Sequence, residues 1–194
     1  MTYAPPDAAE FVDHIAASPC CAAITASDQL ERALESRAPV VFILRGNGLQ
    51  ISSLVKQVHG AGKLVAVHVD LVGGLRADRA SVAWLAAAGV DAVISSHGQL
   101  MTPIRHEGMT AILRLLLTRR SHLDTAVGAI TRSNPNIVEV LPGVILPSVA
   151  PLLPDFGVPV LAGGFIRTAT DVDAVLATGA LGVTTSTDQL WGTA

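Results

Sequence analysis

The feature that most constrains the fold is a repeat, in which a short apolar segment is followed by a segment with helical spacing. Eight apolar segments recur about every two dozen residues, at 21–25, 40–44, 64–70, 92–96, 110–117, 137–140, 160–162 and 182–185. Continuous runs of valine, isoleucine and leucine are typical of parallel strands covered on both faces. Eight such strands alternating with helices favour a closed barrel over an open sheet.

The segments between these strands complete the pattern. Helical spacing is found at 28–37, 51–59, 78–88, 121–131 and 171–177, while the segments after the fourth and sixth strands are short and interrupted by proline. The sequence therefore predicts an α/β fold, a small TIM-like (β/α)8 barrel with parallel strands and minimal loops. We expect residues 1–194 to form one domain, with roughly the first 18 residues as a leading segment.

Composition and charge indicate where in the cell the protein is expected and which partners are disfavoured. No apolar run approaches the roughly 20 residues that span a bilayer. The N-terminus lacks the basic segment of a secretory signal, and the adjacent Cys20 and Cys21 have poor geometry for an ordinary disulfide. A cytoplasmic protein without membrane association is therefore expected. The chain has a net charge of −3, whereas nucleic-acid-binding proteins typically carry an excess of basic residues.

Two strand ends late in the chain predict an anion site. The seventh strand runs into Gly163-Gly164, with Arg167 just beyond, and the eighth ends at Thr185-Ser186. Glycine has no Cβ, so the backbone N–H groups of such a turn can approach an anion closely. The last two strands of a (β/α)8 barrel often build a phosphate site. A plain tight turn is the alternative for Gly-Gly alone, but the paired strand ends favour a small phosphorylated ligand.

Other polar side chains are expected around the same mouth, because the carboxyl ends of barrel strands face the ligand. These residues are Thr25, Arg45, His68, Asp70, Ser95, Ser96, Arg114 and Glu139. His68 and Asp70 are two residues apart, so on one strand they would point to the same side. Asp70 and Glu139 could form a general acid–base pair, hold ligand hydroxyls, or belong to an internal salt-bridge network with arginines.

Several kinds of chemistry lack the residues they need. No set of His, Asp, Glu and Cys has a recognised metal-ligand spacing, and no cofactor is expected. No serine lies in a nucleophile-elbow sequence. The two lysines, Lys56 and Lys63, are away from the predicted carboxyl ends of the strands, which disfavours a Schiff-base aldolase.

Four longer motifs occur in order along the chain. They are Val-His-Val-Asp-Leu-Val-Gly-Gly at 67–74, Glu-Val-Leu-Pro-Gly at 139–143, Ala-Gly-Gly-Phe-Ile-Arg-Thr at 162–168 and Val-Thr-Thr-Ser at 183–186. Together they resemble the glycerol-uptake operon antiterminators, which are glycerol-3-phosphate-responsive regulators, and the resemblance extends from about residue 20 to residue 191. It implies a non-enzymatic transcription antiterminator that binds glycerol 3-phosphate and associates with leader mRNA of glycerol-utilisation operons.

The resemblance also implies roles for individual residues. The phosphate would be held at the last two strand ends by Gly163, Gly164, Thr185 and Ser186. The glycerol part would be faced by His68, Asp70 and Glu139, with two arginines supporting either end, Arg114 and Arg167. Relatives commonly carry a basic residue where this chain has Thr25 and tend to have a lysine where it has Ser96-His97, and Arg45 would replace one lost positive charge.

Two alternatives to this function stay open. One is a TIM-barrel enzyme acting on another small phosphorylated substrate. The other is a metabolite sensor that binds such a ligand without binding RNA and acts through a protein partner. The sequence also leaves a homo-oligomer open.

Overall fold

A computed structural model describes residues 3–192, except for the side chains of Ser27, Arg120 and Asp124. Its centre is a closed barrel of eight parallel strands whose spatial order follows the chain, with β8 beside β1. The strands are β1 (Cys20–Ile24), β2 (Val40–Ile43), β3 (Leu64–His68), β4 (Ala92–Ser95), β5 (Thr110–Leu116), β6 (Ile137–Leu141), β7 (Val160–Gly163) and β8 (Gly182–Thr185). The predicted TIM-like (β/α)8 barrel is confirmed.

One helix precedes β1, and one helix lies between each two consecutive strands of the barrel. They are α1 (Ala8–Ala17), α2 (Leu30–Glu35), α3 (Gly48–Gly60), α4 (Arg79–Ala87), α5 (Met101–His106), α6 (Arg120–Ser133), α7 (Leu146–Val149) and α8 (Ala169–Leu176). Side chains that accept from backbone N–H groups begin several of them: Asn47 caps α3, Asp78 caps α4 and Thr168 caps α8. The segments with prolines form the short α5 and α7, as expected.

Alternate residues of each strand point into the barrel. Phe42, Ile94 and Ile112 belong to the inner cluster and are fully buried, whereas their neighbours pack outward against the helices. The same alternation carries polar side chains to the inward positions near four strand ends, and these are His68, Arg114, Glu139 and Thr184. The carboxyl-terminal end of the barrel, its mouth, is therefore polar above an apolar interior.

Helix α1 closes the opposite end of the barrel. Its Phe11 and Ile15 are fully buried in the inner cluster. Gly182 makes room for this helix, because a Cβ at that position would lie 2.9 Å from Cγ2 of Ile15 and 2.6 Å from the carbonyl oxygen of Pro19. The predicted leading segment is thus part of the barrel core.

A buried carboxylate holds the chain before α1 at this closed end. Asp91 is fully buried, its Oδ1 accepts from the Tyr3 hydroxyl, and its Oδ2 lies 2.9 Å from Nε2 of His59. Burial, together with the Asp91 carboxylate, raises the pKa of Tyr3 well above its ordinary value.

None of the helices within residues 3–192 has the length and apolar character needed to cross a bilayer.

One strand boundary was predicted wrongly, with a consequence for the mouth. The strand expected at 64–70 ends at His68, and Asp70 lies in a 3-10 turn, Val69–Leu71. The chain leaves the barrel here because Val72–Gly73 pairs with Gly46–Asn47 in a separate two-stranded sheet. The alternation that placed His68 and Asp70 on one side of one strand therefore does not apply.

Candidate functional site

A cavity of about 290 Å³ opens at the barrel mouth between the ends of β5, β6, β7 and β8. Seven of the ten predicted site residues line it: Arg114, Glu139, Gly163, Gly164, Arg167, Thr185 and Ser186. Its size lies near the lower limit of the roughly 300–1,000 Å³ found for small-molecule sites. The cavity therefore suits a small ligand.

One wall of the cavity is a hydrogen-bonded network around Glu139. The carboxylate is fully buried, and its Oε2 lies 2.7 Å from Nε of Arg114 on the neighbouring strand β5. Its Oε1 accepts a 2.7 Å hydrogen bond from the hydroxyl of Thr184 on β8. Of the roles considered for Glu139, the internal salt bridge is present, and it holds one guanidinium at the cavity surface.

Gly163 ends β7 where the network leaves no room for a side chain. A Cβ there would lie 2.5 Å from Oγ1 of Thr184 and 2.7 Å from Oε1 of Glu139. The next two residues both adopt left-handed backbone conformations, with φ of 86° at Gly164 and 60° at Phe165. The chain therefore turns sharply at the cavity edge and leaves backbone close to the open space.

The end of β8 is tied to the same turn through Thr185. Its hydroxyl donates a 2.7 Å hydrogen bond to the carbonyl of Ile166 and accepts one of 3.0 Å from the backbone N–H of Thr187. The buried indole of Trp191 donates to the carbonyl of Thr185 at 2.7 Å. These bonds fix the two strand ends against each other, while Ser186 remains exposed at the cavity.

His68 and Asp70 do not line this cavity and lie on the β3–β4 side of the mouth. Asp70 accepts hydrogen bonds from the Ser95 hydroxyl at 2.5 Å and from the backbone N–H and hydroxyl of Ser96 at 2.8 and 2.6 Å. Burial by itself raises the pKa of Asp70, but these hydrogen bonds outweigh it and hold the pKa below its ordinary value. Asp70 is therefore an ionised group engaged by β4, which leaves it poorly placed as a general base.

His68 is 2 % exposed, and its Nδ1 has no hydrogen-bond partner within residues 3–192. Burial lowers the pKa of His68 to about 4, and the charge of Arg114 acts in the same direction, while Asp70 and Glu139 oppose it. The imidazole is consequently neutral at physiological pH. Arg45 lies farther out, on an exposed loop after β2, and does not line the cavity.

Seven cavity residues were not among those predicted: Ala23, Leu44, Leu141, Phe165, Ile166, Thr184 and Thr187. Thr184 lies on the same face of β8 as Gly182, whose Cβ position is beside Ile15 of the inner cluster, so its inward direction is visible only in the tertiary structure. Phe165 and Thr187 follow strand ends, where sequence periodicity carries no information about direction.

Within the described part of the chain, no cluster of three or more His, Cys, Asp or Glu side chains could hold a metal ion. Lys63 directly precedes β3 at the opposite end of the barrel, where its ammonium donates 2.7 Å hydrogen bonds to the carbonyls of Ser36 and Ala38. Burial lowers the pKa of Lys63, but the group lies far from the cavity.

Known structures share this architecture. A glycerol uptake operon antiterminator regulatory protein from Listeria monocytogenes is 32% identical, with a TM-score of 0.84 over 90% of this chain and 95% of that chain. A glycerol uptake operon antiterminator-related protein from Thermotoga maritima is 27% identical, with a TM-score of 0.79 over 89% and 96% of the two chains. A deoxyribose phosphate aldolase from Aeropyrum pernix, 14% identical with a TM-score of 0.72, shares the fold alone.

Sequence comparison agrees with the structural likeness. The uncharacterised protein YgcP of Escherichia coli is 26% identical over 175 residues, which are 90% of this chain and 92% of that protein. The sequence model of the family described as glycerol-3-phosphate responsive antiterminator matches residues 20–191, from the start of β1 to the buried Trp191. The chain belongs to the glycerol-3-phosphate responsive antiterminator family.

Proposed function

We propose that the chain binds glycerol 3-phosphate in the mouth cavity and, when loaded, associates with leader mRNA of glycerol-utilisation operons to prevent premature termination. This proposal rests on the small cavity between the Gly163-Gly164 turn and the Thr185-Ser186 strand end, beside the Arg114 guanidinium. Family membership supports the choice of ligand and of a regulatory role.

The chemistry of the cavity fits the two halves of such a ligand. The phosphate would lie against the backbone of Gly163 and Gly164 and the hydroxyl of Ser186, with Arg167 beside the turn. The glycerol hydroxyls would lie toward Arg114 and the buried Glu139 network. Asp70 and Arg45 lie outside the cavity and take no part in this arrangement.

A thermal-unfolding titration tests the ligand. Glycerol 3-phosphate at ~100 times its dissociation constant should add roughly 2.7 kcal/mol of stability, whereas glycerol and inorganic phosphate at matched concentrations should add much less. The variant Ser186→Asp places a carboxylate at the exposed edge of the phosphate position and should abolish the shift. Ser53→Asp, on the exposed face of α3, is the matched control and should retain it.

The outcomes separate the candidate functions. An equal shift with phosphate and with glycerol 3-phosphate would favour an enzyme or sensor for another phosphorylated ligand. No shift with any of the three would remove the ligand site. RNA association is tested by fluorescence anisotropy with the leader RNA of the operon that encodes the chain, at low salt, where the electrostatic contribution is greatest. Equal affinity with and without glycerol 3-phosphate would contradict the ligand-dependent step.

A further inference from the structure

Phe165 is an aromatic side chain held out into solvent at the rim of the ligand cavity. Its side chain is 65 % exposed, whereas most large apolar residues of the barrel are buried. Its φ of 60° lies in the left-handed region, which a bulky non-glycine residue rarely adopts. Such conformations persist only where the surroundings enforce them, and they concentrate at functional positions.

The surroundings do enforce it, because the chain is pinned on both sides of the ring. Before it, the carbonyl of Gly164 accepts from the backbone N–H of Val144. After it, Ile166 is buried and its carbonyl accepts from the hydroxyls of Thr185 and Thr187 at 2.7 and 3.2 Å. The ring therefore projects from a fixed turn.

A guanidinium accompanies the ring. The Cζ atom of Arg167 lies 5.9 Å from the ring centroid of Phe165, within the range of a cation–π contact. The backbone N–H of Arg167 donates a 3.0 Å hydrogen bond to Oδ2 of Asp171. Asp171 belongs to the capping box of α8, so this bond fixes the loop against the start of that helix. An exposed ring and a positive charge therefore lie next to each other at the rim.

The rim of the mouth carries further unpaired positive charge. Three other exposed arginines follow strand ends: Arg45, Arg76 and Arg119. Within the described part of the chain, no ion pair involves them or Arg167. Two acidic groups near the mouth are ion-paired, Glu139 with Arg114 and Asp188 with Arg32, whereas Asp70 and Asp171 are held by hydrogen bonds. The rim therefore suits a polyanion, although the whole chain carries a net charge of −3.

We infer that Phe165 and Arg167 form a stacking surface for an unpaired base of RNA, with the rim arginines along the backbone; this inference rests on the proposed function. Exposed aromatic rings and guanidinium planes bind single-stranded nucleic acid by stacking, whatever the base. The turn that carries Phe165 begins with Gly163-Gly164, which line the ligand cavity. One loop thus contacts ligand on its inner side and RNA on its outer side, which couples the two binding events.

The test measures RNA and ligand affinities separately on the full chain. Dissociation constants for the operon leader RNA are measured by fluorescence anisotropy at saturating glycerol 3-phosphate, and those for glycerol 3-phosphate by calorimetry. Phe165→Leu keeps apolar volume but removes the ring, and Phe165→Tyr keeps the ring. Trp84→Leu removes another partly exposed ring, 38 % exposed on α4, and is the matched control.

The inference expects Phe165→Leu to weaken RNA binding at saturating glycerol 3-phosphate roughly fivefold or more. Phe165→Tyr and Trp84→Leu should bind RNA like the parent chain. Unchanged RNA affinity in Phe165→Leu, while the parent chain binds RNA, would overturn the inference and leave the proposed function standing. A loss of ligand affinity, with RNA binding restored by excess ligand, would show that the ring covers the ligand and would also overturn it. A parent chain that binds no RNA would remove the proposed function, and this inference with it.

Discussion

The hydroxyl of Thr184 donates a 2.7 Å hydrogen bond to Oε1 of Glu139, and the bond crosses the space in front of Gly163. It links β8 to β6 over the end of β7, which lies between them. The shape of the mouth cavity therefore depends on a residue that has no side chain.

We expect Gly163→Ala to disturb this network. The new Cβ would lie 2.5 Å from Oγ1 of Thr184, so at least one buried hydrogen-bonding group must move. Overpacking of this kind lowers the free energy of unfolding by about 1–3 kcal/mol. Urea unfolding measures it, and binding of glycerol 3-phosphate should weaken in parallel. Gly60→Ala is the control, because nothing lies within 4 Å of its Cβ position; equal stability of the two variants would contradict the prediction.

The Arg114–Glu139 pair should show strong coupling. Glu139 is fully buried, so Arg114→Leu leaves a carboxylate without its cation. Removing one partner of a buried pair destabilises by about 3–5 kcal/mol, whereas replacing both by apolar residues is often much less harmful. Chemical unfolding of Arg114→Leu, Glu139→Leu and the double variant forms a complete cycle. Additive losses would show that the two side chains do not depend on each other.

Acidification should destabilise the protein because of His68. Its pKa is about 4 in the barrel and about 6.5 in the unfolded chain, so between these values only the unfolded chain binds the proton. The free energy of unfolding should therefore decrease as pH falls from 6.5 to 4, by about 3 kcal/mol at the lower end.

The variant His68→Gln isolates this effect, because glutamine does not titrate. Its stability curve between pH 6.5 and 4 should be flatter than that of the parent chain, while the exposed His106→Gln should leave the curve unchanged. Parallel curves for the parent chain and His68→Gln would rule out His68 as the source of the slope.

Helix α1 should contribute to the stability of the whole barrel. Phe11 is fully buried in the inner cluster, and replacing a buried phenylalanine by alanine costs about 3–5 kcal/mol. Phe11→Ala should lower the thermal midpoint strongly, while Asp13→Ala, exposed on the same helix, should change it little. Since α1 lies at the end opposite the cavity, glycerol 3-phosphate affinity at low temperature should be retained in both. A small effect of Phe11→Ala would show that the barrel does not need this closure.

Much of the fold could be predicted because local signals and tertiary demands agree. Val40–Ile43 is apolar at every position, as a strand covered on both faces requires, and Gly182–Thr185 was predicted with its observed boundaries. The residues at the ends of β5 to β8 were placed together correctly, because parallel strands in a barrel share one carboxyl-terminal edge.

Other features depend on contacts between distant segments. Asp70 looked like the continuation of a strand, but pairing of Val72–Gly73 with Gly46–Asn47 draws the chain out of the barrel before it. The weak amphipathic pattern of the first residues did not show that Phe11 fills the end of the barrel, because the space it occupies is formed by strands far along the chain.

The sequence by itself determined the eight strands, their parallel closure and the family, because apolar periodicity and short motifs are local properties of the chain. Only the tertiary structure decided that Glu139 joins Arg114 and Thr184, that the buried His68 has no hydrogen-bond partner for Nδ1 among residues 3–192, and that Phe165 is exposed. The reason is physical. Burial, pKa and side-chain direction at a strand end are set by neighbours from other strands, which local sequence does not specify.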